Sequence, residues 1–167
     1  MASVAILVNG LPGAGKSSLA RQLGGILGAP VLAKDALKET FGALLPDGDS
    51  ARLGSIAMDT LWRLAAETDG GVIVDAVLDR TRDLESARRG LEVAGSPRMV
   101  ELWCDVPVDV ARARFAERAT SRAGIHREWD AAFEGFAPLA LGPVVRVDTS
   151  GPVEFEALVL ELGQHFL

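Results

Sequence analysis

The sequence has little cysteine, no long apolar run and no basic region at its start. A single cysteine, Cys104, excludes a disulfide within the chain and is typical of a reducing compartment. No stretch reaches the roughly 18 apolar residues that a membrane-spanning helix needs. The opening residues MASVAILVNG carry no basic region ahead of their apolar run, unlike a secretory signal. We therefore expect a cytoplasmic protein that does not span a membrane.

Positive charge is also scarce. The 167 residues carry a net charge of −6, which disfavours a surface built to bind nucleic acid. The basic residues are unevenly spread, because five arginines fall within the sixteen residues from Arg112 to Arg127. A local basic patch on an acidic chain favours a small anionic ligand over a polymer.

Linkers, internal repeats and low-complexity stretches are missing too. A chain that is 49% apolar and 167 residues long suits one packed domain over residues 1–167, as a monomer or a homodimer. Short apolar runs predict strands at 4–8, 31–33, 72–74, 99–104 and 144–147. Helical patterns predict helices at 16–27, 36–44, 51–68, 83–94, from Pro107 through the arginines, at 129–136 and at 153–166.

This alternation predicts an α/β fold of three layers, with a parallel sheet between two layers of helices. In such sheets ligands bind at the carboxyl ends of the strands. The residues that follow each predicted strand are therefore the candidates for function.

The first predicted strand runs into GLPGAGKSS, which contains G-x-x-x-x-G-K-S, the phosphate-binding P-loop. Glycines let the backbone turn its N–H groups inward, and the following helix adds its positive dipole end. Lys16 adds charge at the outer phosphates, and Ser17 offers a hydroxyl to Mg²⁺. The candidate nucleotide contacts are Gly10, Leu11, Pro12, Gly13, Ala14, Gly15, Lys16, Ser17 and Ser18. ATP is favoured over GTP because no guanine-reading N-K-x-D motif is present.

The second predicted strand is followed by Asp35, with Lys38 one helical turn later. A carboxylate at this position could accept the proton of an attacking hydroxyl, and Lys38 could hold an anionic acceptor. The alternative interpretation is that Asp35 caps the N-terminus of the helix.

The third predicted strand ends at Asp75, a candidate for holding Mg²⁺ or contacting the acceptor. No glutamate follows it, which disfavours a hydrolytic ATPase. Asp79, Arg80 and Arg82 lie in the predicted loop beyond. Arg80 is the candidate acceptor contact, with a solvated charge as the alternative.

Arg114, Arg118 and Arg122 recur every four residues and so line one helical face. This predicts an arginine-rich lid over about residues 112–128, which would neutralise the transferring phosphate. The central Arg118 is the catalytic candidate. The alternative is a solvated helix with internal ion pairs.

The last predicted strand is followed by Asp148, Thr149 and Ser150. They could cap the final helix. They also lie where folds of this kind place the nucleotide base, which makes Thr149 a candidate nucleotide contact.

Taken together, the chain resembles the P-loop kinases of the AAA_33-type group, which is similar to polynucleotide kinase, chloramphenicol phosphotransferase, zeta toxin and gluconate kinase. The resemblance covers residues 4–166 and is carried by GLPGAGKSS, KDALKE, VIVDAV, LWCDVPVDVARARFAER and VVRVDTS. It implies a sheet order of 2-3-1-4-5 and a general-base role for Asp35. It also implies an acceptor contact at Lys38, where arginine is common, and ATP-phosphate contacts from the lid arginines.

The resulting hypothesis is an ATP- and Mg²⁺-dependent kinase that phosphorylates a hydroxyl group of a small molecule. Three alternatives stay open at this point. They are a kinase of nucleic-acid ends or nucleotides, a nucleotide-binding regulatory protein without an acceptor, and a kinase that acts as a toxin or modifies an antibiotic.

Overall fold

A parallel sheet forms the centre of the molecule. The computed structural model describes residues 1–119 and 129–166. Its strands are β1 (Ala2–Gly10), β2 (Val31–Ala33), β3 (Gly70–Asp75), β4 (Arg98–Asp105) and β5 (Val144–Asp148). Every neighbouring pair is parallel, and the order β2-β3-β1-β4-β5 confirms the order that the resemblance to the P-loop kinases implies.

Helices connect the strands and cover both faces of the sheet. They are α1 (Lys16–Leu27), α2 (Lys34–Leu44), α3 (Ser50–Ala66), α4 (Arg80–Val93), α5 (Val108–Ala119) and α6 (Phe155–Phe166). A short 3₁₀ helix (Ala131–Gly135) precedes β5. Within the described residues, no helix combines the length and the apolar character needed to cross a bilayer.

The central strand divides the core into two halves. Side chains alternate across a strand, so Ile6 and Val8 face one layer while Leu7 faces the other. Ile6 and Val8 pack in the cluster that includes residues of α1 and α6. Leu7 packs with Leu61 of α3 and Ala87 of α4. The predicted three-layer arrangement is therefore confirmed.

Several boundaries differ from the sequence-based expectation for local reasons. The α2 helix begins at Lys34, directly after β2, rather than at residue 36. The α4 helix begins at Arg80 rather than at 83, because the buried Asp79 side chain caps it by accepting from the Thr81 amide at 3.0 Å. The α1 helix has the expected bounds and ends at Gly28, whose φ of 64° suits a left-handed C-cap.

Candidate active site

The loop between β1 and α1 is shaped by glycines with positive φ. Gly13 and Gly15 have φ values of 85° and 89°. A Cβ atom at Gly13 would lie 2.1 Å from the carbonyl oxygen of Ala111 in α5, so the loop and α5 approach too closely for any side chain there. Gly15 stands at the N-cap of α1 without a side-chain cap. The first-turn amides of α1 thus begin directly at the loop, an arrangement that suits an anion.

Lys16 lies over this loop and is 8% exposed. Its Nζ atom donates to the carbonyl oxygen of Leu11 at 2.7 Å. Burial lowers the pKa of the Lys16 ammonium, and the nearby Asp75 carboxylate partly offsets that effect. The site therefore holds a desolvated cation at the start of α1, where the first-turn amides of the helix lie.

A buried pair beneath the loop holds it to neighbouring segments. The side chain of Asn9 accepts from the amides of Gly10 and Leu78 at 2.8 and 2.9 Å. Asn9 also donates to the Glu101 carboxylate at 2.8 Å. Glu101 further accepts from the amides of Leu139 and Ala140, at 3.0 and 2.9 Å. Sequence reasoning missed both residues, although a polar residue in each of two apolar strands was a visible signal.

The carboxyl ends of β1, β2 and β3 open into a cleft of about 370 Å³. It brings together predicted residues from four separate segments, namely Pro12, Gly13, Gly15, Lys16, Ser17, Asp35, Lys38, Asp75 and Arg118. The opposite wall comes from α3 and the first turns of α4, and includes Gly54, Met58, Trp62, Arg82 and Asp83. Sequence reasoning had not singled out most of this second wall.

Asp35 is the second residue of α2 and lines the cleft. The N-cap position belongs to Ala33, so the interpretation of Asp35 as the cap of this helix is wrong. Lys38 lies one turn further along α2 and is buried in the same cleft. Asp75 is buried as well, at the end of β3.

The β3–α4 connection places its charges differently from the expectation. Arg80 is the exposed first residue of α4 and is not among the residues that line the cleft. Arg82 lines it instead, bound to Asp83 at 2.7 Å and stacked 4.9 Å from the ring centre of Phe136. Arg80 and Arg82 are two positions apart along the helix, so their side chains point to different sides.

Arg114 and Arg118 of α5 occupy different surroundings. The Arg114 guanidinium donates to the carbonyl oxygens of Thr149 and Ser150 at 2.9 and 2.8 Å. Arg118 lines both the first cleft and a second one of about 470 Å³. Arg122, and with it much of the predicted lid, lies outside the described residues.

The second cleft lies beside the first, between α1 and the β5–α6 connection. Its lining includes Ser18, Arg114 and Thr149. The Thr149 hydroxyl donates to the carbonyl oxygen of Ala14 in the glycine loop at 2.6 Å. The capping interpretation for residues 148–150 is wrong, because α6 begins only at Phe155 and Asp148 accepts from the Ser150 amide instead.

Cys104 follows the expectation for a core residue. It is 1% exposed at the end of β4, and burial raises the pKa of its thiol to about 12. The thiolate is therefore unpopulated at neutral pH, which argues against a reactive role.

A parallel sheet of this order, with G-x-x-x-x-G-K-S between its central strand and the next helix, defines a P-loop fold of the kinase type. The family model described as AAA domain, AAA_33, matches residues 6–139. The chain belongs to this family. No curated protein matches the chain.

Solved structures with the same fold include several kinases. A protein from Chloroflexus aurantiacus that carries the provisional name of a kinase is 25% identical, with a TM-score of 0.80 and 98% of each chain covered. APS kinase from Mycobacterium tuberculosis, in complex with AMPPNP and APS, is 22% identical with a TM-score of 0.66, covering 97% of this chain and 98% of that one. A gluconokinase from Sinorhizobium meliloti is 19% identical with a TM-score of 0.63, covering 98% and 95%.

Proposed function

We propose that residues 1–167 form a single kinase domain that transfers the γ-phosphate of ATP to a hydroxyl group of a small molecule. One observation carries this proposal. The cleft that is lined by Lys16 of the phosphate-binding loop is also lined by Asp35, which lies in the first turn of α2, just after β2. A loop of the phosphate-binding type and an acid able to receive a proton thus line one space of limited volume.

The nucleotide is assigned to the loop and to the second cleft. The loop amides and Lys16 bind the β- and γ-phosphates, and Ser18 lies near the α-phosphate. The base and sugar occupy the second cleft beside Thr149, with Arg114 holding that wall in place. The similar APS kinase structure, solved in complex with AMPPNP and APS, supports nucleotide binding by a protein of this fold.

Ser17 and Asp75 are the residues that would hold Mg²⁺. Both line the cleft, and both offer the oxygen ligands that this ion prefers. Among the described residues, no three His, Cys, Asp or Glu side chains form a metal cluster. Mg²⁺ is commonly held by one or two protein oxygens together with phosphates and water. When bound, the ion neutralises phosphate charge and fixes the phosphates for in-line transfer.

The reaction needs little covalent chemistry from the protein. The acceptor oxygen forms a bond to the γ-phosphorus, and the bond from that phosphorus to the β–γ bridging oxygen breaks. The hydroxyl proton passes to the Asp35 carboxylate, and ADP leaves with the electron pair of the broken bond. Lys16 and Arg118 stabilise the charge on the transferring group. Lys38 contacts the acceptor.

An acceptor screen that measures ADP release tests this proposal. At least one hydroxyl compound should raise ADP release above the basal rate. Lys16→Ala should lower the stimulated rate by about 10³-fold, because it removes a charge that acts on the transition state. Arg21→Ala, an exposed cation on the same helix, is the matched control and should leave the rate unchanged. No stimulation by any hydroxyl compound, with a basal rate insensitive to Lys16→Ala, would refute the proposal.

A further inference from the structure

The distribution of lysine in this chain is unusual. The sequence contains three lysines, Lys16, Lys34 and Lys38, and all its other basic side chains apart from two histidines are arginine. All three lysines line the same cleft. Lys16 belongs to the phosphate-binding loop, so Lys34 and Lys38 are two further ammonium groups on the acceptor side.

The two lysines run side by side across α3. They are four residues apart on α2 and therefore share one helical face. A Cβ atom at Gly54 of α3 would lie 3.9 Å from Cδ and Cε of Lys38 and 4.0 Å from Cε of Lys34. Both aliphatic stems therefore pass close to Gly54, and both lysines line the same cleft.

The charges around Lys34 do not neutralise it by direct contact. Asp83, Arg82, Asp35 and Lys38 all act on Lys34 electrostatically, and burial lowers the pKa of its ammonium. Among the described residues, Lys34 has no hydrogen-bond or ion-pair partner. Asp83, the acid with the largest electrostatic effect on Lys34, is already held by Arg82 at 2.7 Å and by the amide of Asp79 at 2.7 Å.

A partly desolvated ammonium without a direct partner is costly, and an anion delivered by a ligand removes that cost. We propose, on the basis of the kinase function above, that the acceptor carries an oxyanion in addition to its hydroxyl, and that Lys34 and Lys38 bind this oxyanion together. A carboxylate and a phosphate monoester share this chemistry. Lysine suits it as a compact point charge that can approach either group.

The proposal is tested by NMR on protein labelled with ¹³C at lysine Cε, which gives one signal for each of the three lysines. Saturating AMPPNP fills the loop and leaves the acceptor side open. Inorganic phosphate and acetate are the two anionic probes, and glycerol is the neutral one. We expect saturable shifts of the Lys34 and Lys38 signals with one or both anions and none with glycerol. The tighter anion distinguishes a phosphate from a carboxylate.

Variants make the result specific. Lys34→Met should raise the Kd of the anion, measured on the Lys38 signal, at least 10-fold, which is a loss of about 1.4 kcal/mol of binding free energy. Lys34→Arg should retain part of the affinity. Arg63→Met, which removes an exposed cation from α3, should leave it unchanged. The proposal is overturned if no anion moves the Lys34 signal, if glycerol moves it equally, or if Lys34→Met responds as the wild type does.

This measurement requires no turnover, so it separates the two proposals. Anion-dependent shifts without any compound that stimulates ADP release would support the oxyanion site and refute the kinase function. Unmoved lysine signals, with neutral alcohols as the better acceptors, would refute the oxyanion site and leave the kinase function intact.

Discussion

The first and second clefts together form the proposed kinase site, and its two halves are built by different means. In the nucleotide half, made by residues 10–18 and the second cleft, the backbone supplies most of the shape, and glycines with positive φ allow it. In the acceptor half, made by α2, α3 and the first turns of α4, side chains supply both the walls and the charges. A short sequence motif therefore predicts the first half, whereas no such motif predicts the second.

The difference has a physical origin. At Gly13 the loop backbone approaches Ala111 so closely that only glycine fits. The shape of the loop therefore requires a particular residue type, which can be recognised in the sequence. A wall of side chains can be built from many residue types with the same shape and charge. The comparison predicts that small changes in the nucleotide half abolish binding, whereas changes in the acceptor half alter acceptor selection.

The largest expected effect on nucleotide affinity comes from one added methyl group at Gly13. Gly13→Ala should lower AMPPNP affinity by about 100-fold or more, because the methyl group would collide with the α5 backbone and the φ of 85° is strained for alanine. Calorimetric titration measures this. Gly25→Ala in α1 is the control, since a Cβ atom there meets nothing within 4 Å. It should keep affinity and raise stability by roughly 0.5–1 kcal/mol. Equal affinities for the two variants would contradict a nucleotide site formed by the loop backbone.

A similar methyl group placed behind the wall of the acceptor half should have a different effect. A Cβ atom at Gly90 of α4 would lie 2.1 Å from Nε1 of Trp62, which lines the cleft. Gly90→Ala should therefore displace the indole, cost about 1–3 kcal/mol of stability and raise the KM for the acceptor. AMPPNP affinity should stay unchanged.

Gly163→Ala in α6, where the space is open, is the control for Gly90→Ala. Trp62→Phe combined with Gly90→Ala should recover part of the lost stability, because the smaller ring leaves room. Urea unfolding and steady-state kinetics give both readouts. A loss of AMPPNP affinity as large as the change in acceptor KM would show that the two halves are not separable.

A smaller effect is expected for Asp79, which caps α4 and joins it to the segment at Ala137. Burial alone would raise the pKa of Asp79, but hydrogen bonds from Thr81 and from the amides of Ala137 and Thr81 hold it below 3.8. Its stabilising contribution is therefore complete above pH 3.8 and is lost as the pH falls through the lower folded-state value. Asp79→Asn should cost about 1–2 kcal/mol at pH 7.

The difference between wild type and Asp79→Asn should shrink as the pH falls below 3.8, because the wild-type carboxyl is then protonated. Urea unfolding at stepped pH values measures it. A difference that stays constant down to the lowest pH would show that the charge of Asp79 contributes nothing.

The sequence predicted the parallel sheet and the bounds of α1, because apolar runs, the P-loop and Gly28 each depend on local chemistry. The order of the strands was predicted only through the resemblance to the P-loop kinases. It also predicted that Asp35, Lys38 and Asp75 lie in one cleft with Lys16, since the carboxyl ends of parallel strands meet at one edge.

Other features depend on tertiary contacts between segments that are distant in the sequence. Arg82 lines the cleft in place of the predicted Arg80 because α4 begins at Arg80. The buried Asp79 caps this helix and also accepts from the amide of the distant Ala137. The Asn9–Glu101 pair joins strands 92 residues apart in sequence. The place of Lys34 in the cleft likewise depends on the packing of α2 against α3, which the sequence does not reveal.

The division of the cleft into two halves is tested most directly by Asp35→Asn, assayed for acceptor-stimulated ADP release and for AMPPNP binding on the same preparation. The account predicts that the stimulated rate falls by about 10²–10⁴-fold, because the proton acceptor is lost. AMPPNP affinity should change by less than about threefold, since Asp35 acts on the acceptor oxygen rather than on the bound phosphates. An unchanged rate, or a loss of AMPPNP affinity as large as the loss of rate, would contradict it.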